Sequence, residues 1–442
     1  MSELNNPRKS FVPVWRRVGV LLEIAANRFG LVVFSLALLL RLVFVVAVLS
    51  GPLETDALDY DTLGWKLSQG KGYVNSTGQP TAYRPPVYPL LLGGIYYILG
   101  HDPQWVRLVQ AFIGAGICVL LYWVTRSIFD AGTAKMAGLV SCIYPPLIIY
   151  TNQILTEILF TFLMLLTVML VINKRGSCWY VISGVAFGLA LLTRPFLVVF
   201  GPFLYFWLLL KHKKKALRAM AFTTTGLLLI LLPWTFRNLS KLDAFVPFAN
   251  VGGLTFYNSY VVPQEGFGYN SLETVDADYF ELNNEADRSR YLVRQTLRFI
   301  TQQPRRVVKL TVAKLLHFVY PFDGHWYAVS FGSKYNIFWG VILGFSILGV
   351  ALRFADRNQN RELVYLLFFA YIFGIMVFYG SPRFRLPLEP FLIAFAAAGI
   401  RECLANRRSA ALVTVGLNLS LFLIFRVFET QLVFDYFKNR VQ

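Results

Sequence analysis

The chain is poor in cysteine, in acidic residues and in charge altogether. Only four cysteines stand in 442 residues. Cys118, Cys142, Cys178 and Cys403 each fall in an apolar run or beside a basic loop, and none lies in the two long polar loops. That distribution excludes a disulfide framework and a cysteine metal site. Charged residues make up 15% of the chain, and no long stretch has the composition of an independent soluble domain. Acidic residues number 24 against 42 Lys and Arg, a net charge of +18. Such an excess suggests nucleic acid at first sight. No separate basic domain exists to carry that binding, because Lys and Arg gather in short loops between apolar runs. No internal repeat is evident. The first apolar run begins near Phe29, after a basic leader (Arg8, Lys9, Arg16, Arg17, Arg28). It lacks a small-residue cleavage site and is expected to be a retained anchor.

What the chain has in abundance is apolar surface. It is 56% hydrophobic and 16% aromatic, with a mean hydropathy of +0.54. These values predict an all-α polytopic membrane protein. Spans are expected near 29–50, 105–127, 133–151, 155–173, 179–193, 195–210, 216–236, 336–353, 362–379, 387–400 and 410–427, eleven in all. The topology turns on "VYPLLLGGIYYILG", Val87 to Gly100. At about 1.5 Å per residue it covers only about 20 Å, short of a roughly 30 Å hydrocarbon core. Were it to span, Lys174-Arg175 and the cluster Lys211, Lys213, Lys214, Lys215 would face outward, against the positive-inside rule. Read as an interfacial helix, it leaves those clusters inside, with Arg353, Arg357, Arg361, Arg401, Arg407 and Arg408. The N-terminus is then inside and the C-terminus outside. Loops 52–104 and 238–335 are external, and "PRRVVKLTVAKLLHFVYPF" in the second lies along the surface.

Polar residues at span ends then sort to one side. Asp56 follows the first span. Arg84 sits in "PTAYRPPVYP", Glu157 in "YTNQILTEILF" and Arg194 in "LLTRPF". Arg237 and Asn238 close "LLPWTFRN", and Arg383 and Arg385 sit in "SPRFRLPLEP". Ionisable groups at membrane depth are costly and face the protein interior, so a shared external cavity is expected. Read as a helix, "TDALDYDTLGWKLSQ" puts Asp56, Tyr60, Leu63 and Leu67 on one stripe. Thr55 or Asp56 also suits a helix N-cap. Asp59 and Asp61 are expected on a solvated interfacial face, and the spacing of the three aspartates argues against a metal clamp. Two prolines fix the chain beside Arg84, giving a rigid partner for an anion; snorkelling to headgroups is the alternative. Arg41, inside the first span, reads as a buried pair or a snorkeller. "VPFANVGGLTFYNSYVVPQEGFGY" suits sugar contact or an ordinary Gly-rich loop. Asp323 and His325 read as loop residues.

Taken together, "DALDY", "AYRPPVYPLLL", "IYPPLIIYTNQILTEILF", "GLALLTRPFL", "LLPWTFRN" and "SPRFRLPLEPFL" resemble the GT-C glycosyltransferases. The resemblance covers about residues 30 to 400. It is strongest to the glycosyltransferase family 39-like group, which includes lipid A aminoarabinose transferases and protein O-mannosyltransferases. It implies a seven-span GT-C module over 1–238 with a catalytic external loop 52–104, an external loop 239–335 and C-terminal spans in 336–442. It implies a hexosyl- or pentosyltransferase that inverts its sugar, drawn from a polyprenyl-phosphate donor, at the outer (periplasmic or extracellular) face of the inner or plasma membrane. Asp56, four residues before Tyr60, matches the family's catalytic Asp. Arg84 matches a basic residue that contacts the lipid phosphate in relatives, and Glu157 matches a second acidic position. Arg194, Arg237, Arg383 and Arg385 match recurring basic positions, and Tyr60 and Asn238 join them as substrate-binding residues. No cofactor and no metal are expected. The partners implied are the donor, membrane lipid and a glycan, lipid or protein acceptor, without nucleic acid.

The residue types suit that chemistry. An acceptor hydroxyl needs a carboxylate to take its proton, and a phosphate leaving group needs guanidiniums. A single displacement requires one essential carboxylate, and a double displacement two; Glu157 reads as a binder of hydroxyls. A lipid-linked glycan transporter or flippase, and an O-antigen polymerase or ligase-like enzyme, remain alternatives.

Overall fold

The computed structural model describes residues 28–48, 51–173, 176–261, 275–319, 337–354, 356, 358–378 and 380–405. The basic leader, Lys174-Arg175, Arg357, Arg407-Arg408, Asp323, His325 and the expected span 410–427 lie outside the described residues, as does much of "VVPQEGFGY". Among the described residues the structure is helical, with one isolated bridge between Val74 and Pro80.

Short polar punctuation sets the helix boundaries. Helix α1 runs Arg28–Ala47, α2 Thr55–Ser68, α3 Val87–Leu99 and α4 Pro103–Ile128. Asp102 caps α4, accepting from Gln104 N at 2.8 Å, with Pro103 at the first helical position. Asp130 caps α5 (Ala131–Ile143) in the same way through Gly132 N and Thr133 N. The expected span 133–151 is not one straight helix. It breaks at Tyr144, where Pro145-Pro146 forces an extended residue and removes two donors, and the chain turns by 55° into Pro145–Asn152. Helices α6 (Glu157–Ile172), α7 (Ser177–Leu191), α8 (Phe200–His212) and α9 (Ala216–Leu242) follow, with α8 and α9 separated at Lys213–Lys215, where Lys213 takes φ +44°. Then come α10 (Val251–Asn258), α11 (Glu285–Gln302), α12 (Pro304–Val319), α13 (Ile337–Arg353), α14 (Gln359–Val377) and α15 (Glu389–Ala405).

This is a multi-pass membrane protein. Among the described residues four helical stretches are long and apolar enough to cross a bilayer: Arg28–Ala47, Pro103–Ile128, Pro195–Leu242 and Gln359–Val377. The bent pair at Tyr144 makes up to five. Val87–Leu99, Glu157–Ile172, Ser177–Leu191 and Phe338–Arg353 are apolar but shorter. Helix α6 packs between α4 and α7 and is buried on nearly every side, so its sequence is apolar all round. Helices α7 and α9 approach backbone to backbone. A Cβ on Gly184 would lie 2.0 Å from Thr223 O, and one on Gly226 2.0 Å from Val181 O. Only glycine permits that contact, a small-residue interface of the kind membrane helices use.

The helices share two ends. At one end, Arg361 donates to Ile128 O (3.1 Å), Asn360 to Ser127 O (3.1 Å), and Lys211 to Asn360 Oδ1 (2.5 Å), while Arg401 pairs with Asp130. Lys213–Lys215 lie at this end too. The other end carries the start of α6, the ends of α7, α9 and α14, and the loops around Arg84 and Arg383.

Candidate active site

At that second end the helix termini place charged side chains around one point. Asp56 is the second residue of α2, following Thr55 at φ +48°. The position before the helix is Glu54, with no side-chain cap, so neither Thr55 nor Asp56 is spent as an N-cap. The carboxylate of Asp56 instead accepts from Arg84 Nη2 at 2.7 Å through one oxygen and from Arg383 Nη1 at 2.9 Å through the other. Arg383 bridges onward through Nε to Glu157 at the start of α6. Glu157 is fully buried and also meets Arg194 Nη2 at 2.6 Å. Arg194 Nε donates to Thr156 Oγ1 at 2.8 Å, and its guanidinium lies 4.9 Å over the Phe384 ring. One chain of ion pairs thus joins residues from 56 to 383.

Arg84 is held rigidly. Its guanidinium lies between the rings of Tyr60 (5.3 Å) and Tyr83 (5.1 Å), a cation–π arrangement that leaves the plane's edge for anions. Tyr73 OH donates to Arg84 O at 3.0 Å. The preceding backbone is clamped from three directions. Arg237 donates to Thr81 O and Tyr73 O, both at 2.6 Å. Asn250 N and Val251 N donate to Ala82 O (2.8 Å) and Tyr83 O (3.1 Å). Glu285, at the start of α11, accepts from Thr81 Oγ1 at 2.8 Å, from Asn250 Nδ2 at 2.9 Å and from Ala82 N.

The electrostatics follow from this packing. Burial pushes the Asp56 carboxyl up, but the Arg84 and Arg383 guanidiniums outweigh it and hold the group down at about 2. Burial raises the Tyr60 hydroxyl above its ordinary range, so Tyr60 stays neutral beside Arg84. Three buried polar atoms in the cluster lack a hydrogen-bond partner: Arg84 Nε, Arg194 Nη1 and Glu157 Oε2. Orphaned donors on two arginines are a ready receptor for anionic oxygens.

Of the residues expected to gather, Asp56, Tyr60, Arg84, Glu157, Arg194 and Arg383 do so. Arg237 lies one step back, fixing the loop of Arg84. Asn238 is buried, donating to Val246 O at 2.8 Å and accepting from Arg237, so it braces the end of α9. Arg385 points to the other side of Pro382–Arg385. It is buried, pairs with Glu389 at 3.2 Å and lies over the Trp339 ring at 4.4 Å. A two-residue offset on a helical turn separates it from Arg383. Arg41 is fully buried, donating to Ala37 O at 3.0 Å.

One of the two aspartates expected on a solvated face departs from it. Asp61 is buried, accepting from Tyr96 OH at 2.5 Å and meeting His101 Nε2 at 2.9 Å, which ties α2 to α3 and to the turn after it. Asp59 is exposed but reaches Arg84 Nη2 at 2.7 Å. Its spacing of three from Asp56 was the signal available, since such pairs share a helix face. Glu285 had no signal, because its partners Thr81 and Ala82 lie some 200 residues away in sequence and Asn250 lies 35 away. Among the described residues no group of three His, Cys, Asp or Glu side chains converges as a metal site.

Comparison with known proteins adds a partial family match and a fold. The family model for dolichyl-phosphate-mannose-protein mannosyltransferases matches residues 83–236, which include Arg84, Glu157 and Arg194 and end one residue before Arg237. The oligosaccharyltransferase of Archaeoglobus fulgidus, solved with zinc and sulfate, aligns at 12% identity over 88% of this chain and 51% of its own, with a TM-score of 0.52. The chain has the GT-C fold. The oligosaccharyltransferase AglB of Archaeoglobus fulgidus, solved with an inhibitory peptide and a dolichol-phosphate, shares the fold at 14% identity over 90% of this chain and 54% of its own, TM-score 0.50. This chain spans about half the length of that oligosaccharyltransferase. ArnT from Cupriavidus metallidurans bound to undecaprenyl phosphate aligns at 14% identity over 87% of this chain and 78% of its own, TM-score 0.42. No curated protein matches the sequence.

Proposed function

We propose that the chain is an inverting glycosyltransferase that moves a hexose or pentose from a polyprenyl-phosphate donor to an acceptor hydroxyl. One observation carries the reading: a partly exposed carboxylate, Asp56, held between two guanidiniums at the end of a bundle of apolar helices. A structure of similar fold adds weight, since it was solved with a dolichol-phosphate.

In the mechanism, Arg84, Arg194 and Arg383 hold the donor phosphate. The acceptor oxygen attacks the anomeric carbon from the face opposite the phosphate, and Asp56 takes the hydroxyl proton. The bond from anomeric carbon to phosphate oxygen breaks, leaving its electron pair on the phosphate, where the arginines stabilise it. Glu157 fixes Arg194 and Arg383 from beneath. Neither a cofactor nor a metal enters this scheme. The basic end, with Lys211, Lys213–Lys215, Arg361 and Arg401, belongs inside by the positive-inside rule. The active site is then on the periplasmic or extracellular side of the inner or plasma membrane. Residues 1–238 form the catalytic module, 239–335 the loop that braces Arg84 through Asn250 and Glu285, and 336–442 the part that brings Arg383.

The test is Asp56→Asn in the purified protein, assayed for transfer from a polyprenyl-phosphate sugar. Loss of transfer by about 10²-fold or more is expected for a general base. Retention of most of the activity would remove Asp56 from the mechanism. Movement of the lipid between leaflets without cleavage of the glycosidic bond would replace the transferase by a transporter.

A further inference from the structure

Two carboxylates meet Arg84 Nη2 at the same 2.7 Å, and they are not alike. Asp56 is 30% exposed and also bound by Arg383, whereas Asp59, one helical turn on, is 51% exposed. We propose that Asp59 is a displaceable counterion, which occupies Arg84 in the resting protein and gives way to the donor's phosphate. The proposal rests on the transferase reading above.

The count of charges supports it. With Asp59 in place, three guanidiniums (Arg84, Arg194, Arg383) face three carboxylates (Asp56, Asp59, Glu157), and the cluster is neutral. A polyprenyl-phosphate sugar is a phosphodiester with one negative charge. Brought into a neutral, largely buried cluster, it would leave an uncompensated anion, which is costly. With Asp59 turned out to water, the cluster carries one positive charge and the donor neutralises it. The match survives the reaction. The acceptor's O–H bond breaks and its proton neutralises Asp56; the new C–O bond forms; the C–O bond to phosphate breaks and leaves a phosphomonoester with two negative charges. The cluster has gained one positive charge and the lipid one negative charge.

The other two carboxylates cannot fill this role. Glu157 is fully buried between Arg194 and Arg383. Asp56 is bound from both sides and is wanted as the base. Asp59 stands on the exposed side of α2, where turning away costs little. Its departure frees one N–H of Nη2, the other staying with Asp56, beside the unpartnered Nε of Arg84, and two such donors grip a phosphate bidentately.

The experiment titrates full-length protein in nanodiscs with undecaprenyl phosphate, for wild type, Asp59→Asn and Asp59→Glu. Asp59→Asn is expected to bind about two- to fivefold more tightly, the range set by a half-exposed ion pair, and to lower the donor KM to match. Asp59→Glu restores the competing charge and returns the affinity toward that of wild type. If wild type binds no undecaprenyl phosphate, the transferase reading itself falls. If wild type binds and Asp59→Asn binds equally or more weakly, the counterion role is wrong and Asp59 serves to orient Arg84.

Discussion

Asp56 is a poor base as it stands in the resting protein. A carboxyl held at about 2 has little affinity for a proton. Its depression comes from Arg84 and Arg383, the same groups assigned to the donor phosphate, so donor binding draws them away and raises the carboxyl toward its ordinary range near about 4. The sign for pH follows. On the proposed mechanism the base must be ionised, so activity falls as pH drops through its value in the relevant state. kcat/KM reports the free protein and shows no limb from Asp56 across the ordinary carboxylate range. kcat reports the donor-bound state and shows its acid limb at higher pH. Superimposed profiles would contradict the release of Asp56 by the donor. Arg84 supports a second prediction. Its planar guanidinium fits between two tyrosine rings and presents a fork of donors, which an ammonium cannot copy. Arg84→Lys keeps the charge but is expected to lower kcat/KM by about 10²-fold, the scale of one lost stabilising donor. Activity close to that of wild type would reduce Arg84 to a point charge.

Helices place these residues, and the contact of α7 with α9 carries two of them, Arg194 and Arg237, just beyond or within their ends. Gly226→Leu would put a side chain into Val181 O, which is backbone and has nowhere to move. Loss of about 3 kcal/mol or more is expected, at the upper end for overpacking, measured as thermal unfolding in detergent. Gly252→Ala, with open space around it, should be near neutral. Equal melting temperatures for the two variants would refute the close contact. This interface also shows where sequence reading stops. The apolar runs marked most of the apolar helices to within a few residues, because hydropathy is a local property. They did not show which glycines face a neighbour, since Gly184 and Gly226 pair across some 40 residues. Hydropathy alone runs through the break at Tyr144, which Pro145-Pro146 imposes. At the site, residues next to a proline or at a span end were legible from their own surroundings. Glu285 and the inward turn of Asp61 were not, because each depends on a partner supplied by another element.

For the whole molecule, the arrangement stands on a separation of charge between two ends. The first has Asp56, Arg84, Glu157, Arg194 and Arg383 in one network; the other has Lys211, Lys213–Lys215, Arg361 and Arg401. Helices α8 and α9 connect them, since α8 starts just after Arg194, α9 reaches Arg237, and the turn between is Lys213–Lys215. If the lysine turn is cytoplasmic, the loop holding Ser76 is outside, and α3, about 20 Å long, does not cross the membrane. Ser76 and Lys214 are both exposed, and so report on the two ends without disturbing either. In a chain whose four cysteines are changed to serine, Ser76→Cys should react with a membrane-impermeant maleimide in intact cells. Lys214→Cys should react only after the membrane is opened. Labelling of both from outside would mean that α3 spans and that the basic end faces outward. Labelling of Lys214→Cys alone would turn the molecule over and put the proposed site in the cytoplasm, where the acceptor and donor would have to be sought instead.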